Sequence, residues 1–159
     1  MKLISQLFSV KLSEEGTHIL KLEFHHINYA SDDVEALNDF YVNILKMDPI
    51  PTQNFIRTTA TQNSGYDGKI MFTTEGNIQM HLAEKDLNVA IINGQRINPI
   101  EKGHIAFRTD DIEQFKQHLT DNAIDYSDYG TTFSAEWHQI FFCDPEGNII
   151  EVHQQVSSV

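Results

Sequence analysis

The chain says nearly the same thing twice. His26-Ile27-Asn28-Tyr29-Ala30-Ser31-Asp32-Asp33-Val34-Glu35 returns as His104-Ile105-Ala106-Phe107-Arg108-Thr109-Asp110-Asp111-Ile112-Glu113. A second echo follows each copy, Glu75-Gly76-Asn77-Ile78 and then Glu146-Gly147-Asn148-Ile149. A repeat of this length, with its elements in one order, predicts two copies of one supersecondary unit. Two such copies relate their equivalent positions by a pseudo-twofold axis. Side chains far apart in sequence can then share one site.

Within the first copy, Leu22 to Ala30 reads as a strand. Leu22, Phe24, His26, Asn28 and Ala30 fall on one face and His25 on the other. Asp32-x-x-Glu35 has the pattern of a capping box. Val34, Leu37, Phe40, Tyr41, Ile44 and Leu45 then recur at helical spacing, and the helix should stop before Pro49. Phe55–Thr61, Lys69–Thr74 and Ile78–Ala83 are strand candidates. The unit therefore reads β-α-β-β-β. In the second copy His104–Thr109 is a strand, and Asp110-x-x-Glu113 opens a helix. Asp125–Tyr129, His138–Cys143 and Ile149–Gln154 complete it. The expected organisation is an N-terminal extension over 1–20 and a single α+β domain over 21–159. Module one covers about 22–85, a connector 86–100, and module two about 101–155.

Composition limits the function classes. The chain has 159 residues and a net charge of −12, which repels phosphate backbones and argues against nucleic acid as a partner. It has no run of about 18 apolar residues, so no membrane partner is expected. Ser5, Gln6 and Lys11 interrupt the start of the chain, which does not read as a secretory signal. The single cysteine, Cys143, excludes an internal disulfide framework and fits a reducing cytoplasm. No Lys, Arg or His flanks it to lower its pKa, so it reads as a core residue rather than a nucleophile.

The repeat also points to chemistry. His26 and His104 hold equivalent positions on equivalent first strands, and both imidazoles can converge on one point. The last strand of each unit adds a polar residue, His81 in the first and Glu151 in the second. Three histidines and a carboxylate are an ordinary donor set for a divalent transition metal, with positions left for water or substrate. A lone strand histidine is usually a hydrogen-bonded structural residue, but packing does not require the same polar residue twice. An inward-facing Glu151 between Ile150 and Val152 needs a partner, and a metal supplies one. Spacing is in tension with His81. It lies five positions after Gly76, whereas Glu151 lies four after Gly147, and only a turn one residue longer in the first unit restores the match. Of the other histidines, His118 reads as a surface helix residue. His138 is a candidate pocket residue, and His153 shares the parity of Glu151 but fits a surface strand end.

Over roughly residues 22 to 155 the chain resembles the vicinal oxygen chelate superfamily, which includes glyoxalase I, fosfomycin resistance proteins, extradiol dioxygenases and methylmalonyl-CoA epimerase. The likeness rests on His26-Ile27 with the Ser31-Asp32-Asp33 helix start, Phe40-Tyr41-x-x-Ile44-Leu45, Ile78-Gln79-Met80-His81-Leu82, Gly103-His104-Ile105, and Phe141-Phe142-x-Asp144-Pro145-x-Gly147-Asn148-x-x-Glu151. Ile97-Asn98-Pro99 and the His81-Leu82 pair bring it nearest to lactoylglutathione lyase-like proteins, which favours His81 as a ligand. The resemblance implies two pseudo-symmetric modules making a U-shaped, half-barrel sheet around a metal. The ion (Zn, Ni, Co, Fe or Mn) would be held by His26, His81, His104 and Glu151, with Glu151 also the catalytic base. It implies a lyase or isomerase acting on a small-molecule substrate with adjacent oxygens, and a homodimer. Glyoxalase I carries glutathione-holding Arg and Asn residues where this chain has Ala30 and Lys85, and a glutamate in place of His81. Extradiol dioxygenases carry a tyrosine where this chain has Phe141. A non-catalytic binding protein of the bleomycin-resistance type and an extradiol-type dioxygenase are the alternative readings.

Overall fold

The computed structural model describes residues 20–156, so all of the expected N-terminal extension except Leu20 lies outside the described residues. The first module contains β1 (Glu23–Ser31), α1 (Val34–Asp39), β2 (Asp48–Ile50), β3 (Ile70–Thr74) and β4 (Gln79–Glu84). A short helix, α2 (Val89–Ile92), lies in the connector. The second module contains β5 (Gly103–Arg108), α3 (Ile112–Asp121), β6 (Tyr126–Gly130), β7 (Trp137–Cys143) and β8 (Ile149–Gln155). The strands form one open, curled sheet in the order β2-β3-β4-β1-β5-β8-β7-β6. This is the α+β, twofold-related architecture of the vicinal oxygen chelate fold. No helix among the described residues is long and apolar enough to cross a membrane.

The seam between the modules carries the symmetry. β1 and β5 run antiparallel, with Ile27 opposite Ile105, His26 opposite Ala106 and Asn28 opposite His104. Each module's first strand pairs in parallel with its last, β1 with β4 and β5 with β8. The pseudo-twofold axis therefore passes through the Ile27–Ile105 pair. His26 and His104 lie on either side of it, and strand alternation turns both to the same face.

Helices cover the opposite face. Met80 and Leu82 of β4 pack with Val34 beneath α1, and Ile140 and Val152 pack with Ile112, Phe115 and Leu119 beneath α3. Both helices start one residue later than their sequence pattern predicts. The N-caps are Asp33 and Asp111, whose carboxylates accept from the Ala36 and Gln114 amides at 2.9 Å. The first helical stripe also splits. α1 passes into a π-turn at Phe40–Ile44, and Phe40, Ile44 and Leu45 are left exposed.

Two further expectations are corrected. Phe55–Thr61 is not a strand of the sheet; that place is taken by Asp48–Ile50. Instead the segment crosses to module two, where Thr58 N donates to Phe133 O at 3.3 Å and Ala135 N to Ile56 O at 3.1 Å. Its extended tendency is met by a loop of the other repeat rather than by a sheet neighbour. Cys143 is exposed rather than in the core, because it sits at the end of β7.

Candidate metal centre

The concave face of the sheet gathers five of the chain's eight histidines: His25, His26, His81, His104 and His153. Register explains how His81 arrives there. It stands opposite Asn28, while Glu151 stands opposite Ala106, and Asn28 and Ala106 are equivalent positions of the repeat. His81 and Glu151 are therefore twofold-related, and the first module's longer turn absorbs the extra residue.

His26, His104 and Glu151 are all buried and form a compact donor group. Glu151 Oε2 lies 3.0 Å from His104 Nε2 and 3.7 Å from His26 Nε2. The His81 ring stacks on His26 with 3.6 Å between centroids; it shares the wall but is not part of that compact group. The other carboxylate oxygen of Glu151 is pinned, accepting from His153 Nδ1 at 2.7 Å and Gln139 Nε2 at 3.1 Å.

The contact between His104 and Glu151 turns on where the His104 proton sits. His104 Nδ1 lies 3.0 Å from the Pro99 carbonyl oxygen, which can only accept, so Nδ1 carries the proton. A neutral His104 then presents a bare lone pair at Nε2 to the lone pairs of Glu151 Oε2. Only a cation, a proton or a metal, makes that approach favourable. Three further acceptor atoms on the same wall, Asn28 Oδ1, Gln139 Oε1 and His153 Nε2, are buried without a partner. Imidazole nitrogens, one carboxylate and this excess of acceptors fit a divalent transition metal. Hydrogen bonding of His104 to Pro99 is the kind of outer contact that orients a ligand.

Electrostatics set the same protonation states that metal ligation requires. Burial, reinforced by neighbouring imidazoles, holds His26 well below its usual range. Burial also places His25 at about 4 and His81 at about 3. Burial alone would raise the Glu151 carboxyl, but the close His104 imidazole and the hydrogen bond from His153 hold it well below its ordinary value. The stability of the metal-free protein should therefore depend on pH. As pH falls from 6.5 toward 4, the unfolded chain takes up protons that folded His25, His26 and His81 do not. The unfolded state then binds more protons, so stability falls with pH, and Glu151 acts in the same direction below 4.5. Urea melts across this window should show a steadily falling midpoint; a flat profile would mean that these imidazoles titrate normally.

Three sequence expectations change here. His25 should face away from His26, yet a β-bulge between Phe24 and His26 turns it inward, with Nδ1 2.9 Å from His26 Nδ1. His153 is buried beside Glu151 rather than at an exposed strand end. His138 does not line the cavity; it bonds Asp128 at 2.8 Å. Sequence reasoning did not single out Gln139 or Arg108, although Arg108 shares the strand parity of His104. Around the polar floor stand Phe55, Phe72, Phe133, Trp137 and Phe141, with Pro99 and Ile100 from the connector. The cup therefore suits a small molecule with an apolar body.

The model of the Glyoxalase/Bleomycin resistance protein/Dioxygenase superfamily matches residues 23–152. Among solved structures, a hypothetical protein from Bacillus halodurans superposes with TM-score 0.60 at 21% identity, covering 87% of this chain and 97% of the other. Methylmalonyl-CoA epimerase from Mycobacterium tuberculosis gives 0.58 at 14% identity, covering 84% and 88%. A variant of the Streptomyces coelicolor methylmalonyl-CoA epimerase, in complex with 2-nitronate-propionyl-CoA, gives 0.54 at 17% identity, covering 84% and 97%. No curated protein matches the chain.

Proposed function

The chain belongs to the glyoxalase/bleomycin resistance protein/dioxygenase superfamily, and from that membership we propose that it is a metal-dependent lyase or isomerase for a small substrate with adjacent oxygens. Members of this superfamily typically bind a divalent metal and small-molecule substrates. In our reading the ligands are His26, His81, His104 and Glu151. The observation that carries it is the convergence of His26, His104 and Glu151 in one buried group, with His104 Nε2 3.0 Å from Glu151 Oε2.

These residues would hold a divalent ion, which would supply Lewis-acid chemistry to adjacent substrate oxygens and so acidify a neighbouring C–H. Glu151, held ionised, is the base that accepts the proton from that carbon and returns it. His153 and Gln139 fix its Oε1, which leaves Oε2 directed at the reacting centre. Pro99 fixes the tautomer of His104. The aromatic walls exclude water and hold the apolar part of the substrate. Phe141, whose ring centroid is 5.3 Å from that of His104, offers no hydroxyl for acid–base work, which weighs against the dioxygenase reading.

The proposal extends to a homodimer, supported by exposed apolar Phe40, Ile44 and Leu45 on one helical segment. A cytoplasmic setting is part of the same reading, resting on the single unpaired Cys143.

The test begins with protein purified without an affinity tag or added metal. Elemental analysis should find about one divalent ion per chain. A panel of α-hydroxycarbonyl compounds incubated in deuterated water should show metal-dependent exchange of the carbon-bound hydrogen. Metal without exchange on any compound, but with oxygen uptake on catechols, would move the assignment to a dioxygenase. No metal after reconstitution with each of the five ions would leave a non-catalytic binding protein.

A further inference from the structure

His25 and Arg108 lie outside the proposed ligand set, yet together they determine where the proton of His26 sits. A guanidinium only donates hydrogen bonds. Arg108 Nη2 is 2.7 Å from His25 Nε2, so that nitrogen accepts. A nitrogen that accepts carries no proton, so the ring proton of His25 is on Nδ1. His25 Nδ1 is 2.9 Å from His26 Nδ1, so His25 donates and His26 accepts there. The one proton of neutral His26 is then on Nε2, the atom that faces Glu151 Oε2 at 3.7 Å. A directed chain of donors thus runs from Arg108 through His25 and His26 toward Glu151.

A nitrogen that carries a proton has no lone pair for a metal. For His26 Nε2 to ligate, the His26 proton must move to Nδ1, and His25 must accept there and carry its own proton on Nε2. Each imidazole keeps one proton; only the nitrogen bearing it changes. His25 Nε2–H would then point at an Arg108 N–H across 2.7 Å, donor against donor. Arg108 is free to leave. Its Nε has no hydrogen-bond partner, and its guanidinium otherwise rests on the face of Trp137, 4.5 Å from the ring centroid.

We propose that Arg108 is a positioning residue that acts through His25, and that its contact with His25 and metal ligation by His26 Nε2 are mutually exclusive. Resting on His26 being a ligand, the proposal adds a built-in latch: metal loading releases Arg108 from His25 and disturbs its stacking on Trp137, the chain's sole tryptophan.

Long-range proton–nitrogen NMR of histidine-labelled protein, with and without zinc, reads the tautomers directly. Metal-free wild type should show His25 protonated on Nδ1 and His26 on Nε2, and zinc should reverse both. Zinc should also change Trp137 emission. The variant Arg108→Met keeps bulk over Trp137 and removes the donor. It should bind zinc about tenfold more tightly, since a charged hydrogen bond no longer has to be broken, and should lose most of the zinc-dependent emission change. Arg108→Lys, which restores a donor, should return affinity toward wild type. His26 protonated on Nδ1 in the metal-free wild type, or equal zinc affinity in wild type and Arg108→Met, would overturn the proposal. If Arg108→Met does not fold, the wild-type tautomers decide alone. Failure of the metal reading looks different: wild type and Glu151→Gln would then be equally unable to bind zinc.

Discussion

Gly103→Ala is expected to destabilise the protein by roughly 3 kcal/mol or more, out of proportion to the addition of one methyl group. Gly103 opens β5 at φ +97°, a conformation that side chains rarely adopt. A Cβ there would sit 2.1 Å from the Asn28 carbonyl oxygen and 3.0 Å from its carbonyl carbon. Neither is a flexible tip; both belong to the backbone of β1, directly across the seam. Relief requires β1 and β5 to separate where His26 and His104 are held. The variant should therefore lose metal affinity as well as stability. Gly94→Ala is the internal control: its φ is +63° and nothing lies within 4 Å of the added methyl. It should show only the left-handed backbone term, about 1–2 kcal/mol. Urea melts of the two variants side by side would settle the matter, and a Gly103→Ala protein within about 1 kcal/mol of wild type would contradict the seam geometry.

Glu151→Gln should abolish metal binding while leaving the protein folded, and Glu151→Ala should lose both. Glutamine keeps the shape and repairs the hydrogen bonds. Its amide oxygen accepts from His153 and Gln139, and its amide nitrogen donates to the bare His104 Nε2. Alanine leaves the donors on His153 and Gln139 and the His104 acceptor buried without partners. Removing one side of such a buried network costs roughly 3–5 kcal/mol. Loss of an outer-sphere partner typically weakens metal binding by about 10–100-fold, and loss of a direct ligand should exceed that. Calorimetric metal titration and thermal unfolding of both variants separate the two effects. Wild-type metal affinity in Glu151→Gln would remove Glu151 from the ligand set, and with it the base of the proposed reaction.

Much of this was legible in the sequence, for a physical reason. Duplication fixes an axis, and an axis fixes which positions meet. His26 and His104 could be paired from the repeat alone, and Glu151 followed from its place in an apolar strand. What remained hidden depended on departures from strict alternation or on contacts distant in sequence. Strict alternation puts His25 on the face away from His26, but a bulge in β1 turns it inward, and no turn residue announces that bulge. The segment Phe55–Thr61 has strand-like residues, but its partner is the loop around Ser134, more than a module's length away in sequence. Gln139 and His153 acquire their roles from Glu151 Oε1, so they could be recognised only once that oxygen was placed. The helix starts were displaced by one residue because each repeat carries two adjacent aspartates, and local geometry chose the second.

The longer turn before β4 has a consequence for how such a site can change over generations. His81 faces the cup only because the Glu75–Ile78 turn, with Gly76 at φ +112°, holds one residue more than its counterpart in the second module. Deleting a single residue from that exposed turn would slide β4 by one position. Leu82 would then face the cup, and His81 would turn to the helix side. The proposed donor set would pass from three imidazoles and a carboxylate to two imidazoles and a carboxylate, with every one of those codons intact. A single-codon deletion in a surface turn is thus a route to altered metal preference that point substitution at the site itself does not offer.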